Sequence, residues 1–177
     1  MRRPFGKNYD LWFPLLIFAA DSGSQRYDSM KLLILNGPNL NLQGRRETDV
    51  YGPQTFGEYL GTLRAHFPAL ELDYLQSNIE GELIDALQQA EGRYAGVVLN
   101  AGGYTHTSVA LRDAVSAVAV PVVEVHISSI LAREEFRHVS LLAPVVVGSI
   151  MGFGLDSYRL GVEALLARVG APALQHE

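Results

Sequence analysis

The sequence predicts an α/β fold in which a five-stranded parallel sheet lies between two layers of helices. Three observations predict it. Short, nearly continuous apolar runs recur five times, as expected of strands buried on both faces. Segments of helical period separate them. Polar residues gather where each run ends. At 177 residues and 48% apolar content, the chain is long enough for one domain with a two-faced core.

The first run is Lys31-Leu32-Leu33-Ile34-Leu35, directly after Met30. The others are Leu70–Leu75, which alternates more, Gly96–Leu99, Val120–Val125 and Val145–Val147. Thr55-Phe56-Gly57-Glu58 has the form of a capping box. Tyr59, Leu60, Leu63 and Phe67 follow it at helical spacing. Ser77-Asn78-Ile79-Glu80 reads as a second box, opening a helix with Leu83, Ile84, Leu87 and Ala90 on one face. Ser108 opens a third helix, with Leu111 and Val115 inward. A shorter one is expected over Ala132–His138. The last carries Val162, Leu165, Leu166 and Val169 on one side. Strand-then-helix units in this order imply right-handed crossovers and a flavodoxin-like three-layer sandwich. Ligands of such sheets bind outside the carboxyl ends of the strands, near the switch in strand order.

Composition excludes several chemistries. There is no cysteine, so thiol catalysis, disulfides and thiolate metal sites are absent. A net charge of -5 without a long basic run argues against a nucleic-acid or membrane partner. Lys7 and Lys31 are the two lysines. Neither stands near a strand's carboxyl end, which leaves a Schiff-base mechanism without a nucleophile. Neither a dinucleotide fingerprint nor a P-loop follows the first strand. Gly152-Phe153-Gly154 reads as a tight turn before the last helix. The two strand-end histidines have no metal-ligand spacing.

The polar strand ends carry the remaining candidates. Asn36-Gly37-Pro38-Asn39 follows the first strand, Asn100 through Ser108 the third, and Glu124-Val125-His126-Ile127-Ser128-Ser129 spans the end of the fourth. Alternation along a strand puts Glu124 and His126 on one side, where the carboxylate can hold one imidazole tautomer. A salt-bridged surface pair is an equal reading of that tripeptide. The first loop, Asn39 to Gln54, is long enough to act as a lid and carries Arg45, Arg46 and Tyr51. A tyrosine works as a base near neutrality when a cation such as arginine stabilises its phenolate. A solvated arginine pair and a packed phenol would fit the same loop. Arg133 and Arg137 can grip a carboxylate, or pair with Glu134. By elimination the chemistry is acid–base catalysis by Tyr and His, with amides and arginines stabilising negative charge.

Together these strings resemble the type II 3-dehydroquinate dehydratases, over Lys31 to about Val169. They are Ile34-Leu35-Asn36-Gly37-Pro38-Asn39-Leu40-Asn41, Arg46-Glu47 with Tyr51-Gly52, and Gln76-Ser77-Asn78 with Glu80-Gly81. Asn100-Ala101-Gly102-Gly103 with Thr105-His106-Thr107-Ser108, Glu124 through Ser128, and Arg133-Glu134-Glu135-Phe136-Arg137 complete the set. The resemblance implies that Tyr51, as tyrosinate, removes the C2 proton of 3-dehydroquinate, and that Arg46 lowers its pKa. Asn39 would help the enolate form, and His126, held by Glu124, would protonate the departing C1 hydroxyl. Asn100, Gly102, His106, Ile127, Ser128, Arg133 and Arg137 would bind substrate, and Asp113 would reach a neighbouring subunit's site. The resemblance further implies a dodecamer of trimers, no cofactor and no metal, and a cytoplasmic enzyme of the shikimate pathway (aromatic amino acid and chorismate biosynthesis) or of quinate catabolism. Gln43 departs from the family's usual apolar residue.

Residues 1–29 read as an N-terminal extension, and 30–177 as the single catalytic domain. Arg2, Arg3 and Lys7 before the apolar run Leu11–Ala20 look like a weak signal peptide, but Asp10 and Pro14 break the pattern. The favoured expectation is an upstream start codon with Met30 as initiator, the extension otherwise being disordered.

Overall fold

A computed structural model of the chain describes residues 30–44 and 54–170. The extension 1–29 and the positions of Arg45, Arg46 and Tyr51 lie outside the described residues. Strands β1 (Met30–Asn36), β2 (Leu70–Gln76), β3 (Gly96–Asn100), β4 (Val122–His126) and β5 (Gly148–Met151) form one sheet in the order β2-β1-β3-β4-β5. All its pairings are parallel. The strand order reverses between β1 and β3, which is the switch point where a crevice opens. Asn36 and Asn100, the last residues of those two strands, are partners in register there.

Alternation along β1 sorts the core into two layers. Leu32 and Ile34 face α1 (Phe56–His66) and α5 (Asp156–Gly170), joining Leu63, Tyr158, Val162 and Leu165. Leu33 and Leu35 face α2 (Glu80–Ala90) and α4 (Val109–Ala117), joining Leu83, Leu87, Leu111 and Val115. Each fully buried aliphatic side chain contributes about 1.5–3 kcal/mol, so residues of both layers hold the strands from two sides. Gly161 lets α5 approach closely: a Cβ there would come within 2.9 Å of Val125 Cγ1.

The Thr55 capping box is present, with Glu58 N–H donating to Thr55 Oγ1 at 3.3 Å and Thr55 N–H to Glu58 Oε2 at 2.8 Å. Ser108 likewise accepts from Leu111 N–H at 2.8 Å. Gly152 (φ 90°) and Gly154 (φ 62°) make the turn before α5. Three expectations need correction. Ser77 does not cap α2: the helix starts three residues later, while Ser77 accepts from Ile79 N–H and donates to Glu82. The fifth strand begins at Gly148, because Val145 and Val146 turn back onto Leu142 and pack against the α2/α4 layer instead. No helix spans Ala132–His138. Two 3-10 turns, Ile130–Ala132 and Glu135–Arg137, stand there. The one-turn helix α3 (Tyr104–Thr107) had no helical signal behind its glycine pair, and Val169 on α5 is exposed.

Candidate active site

The loop after β1 turns sharply into the crevice. Gly37 N–H donates to Asn100 O at 2.7 Å, and a Cβ at Gly37 would lie 2.5 Å from Ala101 O. A glycine is required by that approach. Asn39 then takes a left-handed conformation (φ 68°), one that asparagine tolerates better than most residues. Its N–H is fixed by Asn78 Oδ1 at 2.9 Å, and Gln76 Nε2 bonds the same oxygen at 3.1 Å. The end of β2 thus pins the start of the first loop. Across the switch, Asn100 Nδ2 donates to Tyr158 OH at 2.8 Å, and its Oδ1 accepts from Gly102 N–H at 3.2 Å. Tyr158 OH in turn donates to Asn36 Oδ1 at 2.9 Å.

Glu124 and His126 sit at the carboxyl end of β4, both on the α2/α4 side, with Nε2 of the imidazole 3.0 Å from Glu124 Oε1. Their side chains are 0% and 8% exposed, so the surface-pair reading is set aside. Three hydroxyls also reach the carboxylate: Thr105 at 3.2 Å and Ser140 at 2.8 Å on Oε1, and Ser149 at 2.6 Å on Oε2. Burial pushes the Glu124 pKa up. The hydrogen bond and charge of His126, with the bonds from Ser149 and Ser140, outweigh it and hold the group below the ordinary carboxylate range. A carboxylate accepts, so Nε2 carries hydrogen and Nδ1 is the nitrogen left for the cleft.

His106 is oriented in the same way. Its Nδ1 lies 2.8 Å from the carbonyl of Val139, which can only accept, leaving Nε2 for a ligand. Below them Arg137 Nε bonds Glu134 Oε2 at 3.0 Å, and Arg133 Nε stands 3.5 Å from the same oxygen. Arg133 Nη1 also reaches Ser128 Oγ at 3.4 Å. Glu134's own backbone N–H and the two arginines hold its carboxyl below the ordinary range.

These groups surround one cleft of about 190 Å³. Of the predicted site residues, Asn39, Asn100, Gly102, His106, His126, Ile127, Ser128, Arg133 and Arg137 line it. Glu124 stands behind His126. Asp113 does not reach the cleft. It is 66% exposed on α4, beside Arg112. Tyr51 and Arg46 lie outside the described residues. No described tyrosine lines the cleft. Burial raises Tyr74, Tyr94 and Tyr158 and pushes Tyr59 up to about 12, the wrong direction for a phenolate. Among the described residues no cluster of three His, Asp or Glu side chains could hold a metal.

The sequence placed Asn78, Thr105 and Ser149 at polar strand ends without a role, and gave no sign of Tyr158 or Ser140; Asn78 stands behind Asn39, Tyr158 behind Asn100, and Thr105, Ser140 and Ser149 around Glu124. Gln43, noted as a departure, proves to be a buried part of the cleft wall.

The family model described as dehydroquinase class II matches residues 30–166. The chain belongs to the class II dehydroquinases. A 3-dehydroquinate dehydratase of Gloeobacter violaceus is 55% identical over 151 residues, 84% of this chain and 94% of that protein. One from Exiguobacterium is 59% identical over 138 residues, 77% of this chain and 94% of that protein. Among solved structures, the type II dehydroquinase of Butyrivibrio crossotus superposes with a TM-score of 0.75 at 41% identity, covering 78% of this chain and 98% of that one. The class II dehydroquinase match begins at Met30, the first residue of β1, so it takes in the whole sheet and excludes the extension.

Proposed function

We propose that this chain eliminates water from 3-dehydroquinate to give 3-dehydroshikimate, with Tyr51 as base and His126 as acid. The observation that carries the reading is the buried Glu124–His126 pair, which leaves one imidazole nitrogen for the cleft beside Asn39, Asn100 and two arginines. The names of the relatives support the substrate.

The C2 proton of 3-dehydroquinate is acidified by the neighbouring C3 ketone. Tyr51 as phenolate takes it, Arg46 stabilising the phenolate charge. The C2–H electron pair forms the C2=C3 bond of an enolate, whose oxygen Asn39 stabilises. The enolate collapses to a C1=C2 double bond and expels the C1 hydroxyl. Protonated His126 gives that oxygen a proton from Nδ1, and water leaves. The enzyme ends with a neutral imidazole and a phenol, and one proton moved from Tyr51 to His126 through solvent resets it. Arg137 and Arg133 exchange Glu134 for substrate oxygens, and Ser128, Ile127, Asn100, Gly102 and His106 hold the carboxylate and hydroxyls. Tyr51 and Arg46 belong to the segment that follows Gln43, a residue of the cleft wall, in the sequence. Asp113 serves the cleft of a neighbouring subunit in a trimer, and trimers build a dodecamer. Sedimentation at the monomer mass would remove that assignment. The reaction belongs to aromatic amino acid biosynthesis or to quinate breakdown, in the cytoplasm.

The test is direct. Purified protein at neutral pH should convert 3-dehydroquinate with rising absorbance of the conjugated product, unaffected by borohydride. A folded protein without turnover would overturn the proposal.

A further inference from the structure

Ser140 differs from the other hydroxyls around Glu124 in one respect. Its oxygen already accepts two backbone hydrogens, from Leu142 N–H at 3.1 Å and Ala143 N–H at 2.9 Å. A serine hydroxyl has two lone pairs and one hydrogen. With both lone pairs occupied, the hydrogen is the only group left for Glu124 Oε1, 2.8 Å away. Ser140 can therefore donate to that carboxylate and cannot accept from it. Ser149, on the edge strand β5, adds a donor to the other oxygen.

We infer that Ser140 is a positioning residue for the acid. Its hydroxyl, fixed as a donor by the turn at Leu142–Ala143, keeps Glu124 in the ionised, accepting form that sets the tautomer of His126. The turn that ends the loop after β4 is thereby tied to the chemistry of the strand it leaves. The inference rests on the assignment of His126 as acid. Among the described residues, the titratable groups that share the cleft with His126 are His106 from α3 and Arg133 and Arg137 from the loop after β4; its own strand contributes Glu124.

Removing a donor from a carboxylate disfavours its charged form, so Glu124 should take up a proton at higher pH. In Ser140→Ala the kcat/KM profile should steepen about one pH unit higher on its acid side, below the limb set by Tyr51. At neutral pH, where Glu124 stays ionised, kcat and KM should each stay within about twofold of the parent. Ser140→Thr, which keeps the hydroxyl, should return the profile to that of the parent. Ser149→Ala removes a donor without touching a backbone partner, and should move the steepening the same way by a smaller amount. This second variant carries the test if Ser140→Ala does not fold. The carboxyl of Glu124, followed by 13C NMR with Glu124→Gln locating its signal, should titrate higher in the variants, and this readout needs no turnover. A titration shift in a protein that turns over no 3-dehydroquinate would overturn the dehydratase reading, and with it the acid, while leaving the hold of Ser140 on Glu124 standing. Variants that lose activity evenly at all pH, with the carboxyl titrating as in the parent, would overturn the inference.

Discussion

The acid role proposed for His126 depends on what stands behind it. A buried carboxylate with four donors is costly to remove. Glutamine at 124 cannot accept from all of them, so Glu124→Gln should lower stability at neutral pH by about 1–3 kcal/mol. The pH dependence has a defined sign. The folded-state pKa of Glu124 is depressed, so its contribution is complete above the ordinary value of 4.5 and is lost as pH falls through the depressed one. The thermal-unfolding gap between wild type and Glu124→Gln should therefore narrow on acidification. A gap constant from neutral pH to well below 4.5 would contradict the role given to the carboxylate. At Asn39, backbone and side chain can be separated. Asn39→Gly keeps the left-handed turn (φ 68°) but removes the amide, so kcat should fall by about 10²–10³ with the unfolding midpoint nearly unchanged. A loss of stability to match would assign Asn39 to the turn alone.

The elements divide into those written locally and those set by their neighbours. The capping boxes show both cases. At Thr55 the local pattern is honoured, and Thr55→Ala should cost about 1 kcal/mol, read as a lowered unfolding midpoint. At Ser77 the same pattern is overridden, because Asn78 Oδ1 is engaged with Asn39 and Gln76, and Ser77 is engaged with Ile79 and Glu82. Strands β1 and β3 were legible because both faces are buried. The start of β5 was not: Val145 and Val146 are apolar for packing on the α2/α4 layer, and an apolar run does not say whether it pairs. Glu124 and His126 were legible as a pair because alternation needs only two positions of one strand. Ser140 and Ser149 reach the same carboxylate from other parts of the chain, and although Ser149 stands at a polar strand end, nothing local shows that either one bonds Glu124.

For the whole molecule, the strand order does the assembling. The crevice between β1 and β3 receives the ends of β1 and β3 directly, and β4 adds His126 from one strand further along. The described residues thus bring together the proposed acid, amides and arginines but no phenolate, and in the proposed mechanism that part falls to Tyr51. The assignment of Tyr51 as base is tested by Tyr51→Phe, assayed for product absorbance beside the parent, with calorimetric binding of a substrate analogue as the folding control. Turnover should be abolished while analogue binding stays nearly intact. Activity surviving in Tyr51→Phe would mean that the base is another group and that the proposed division between cleft and loop is wrong.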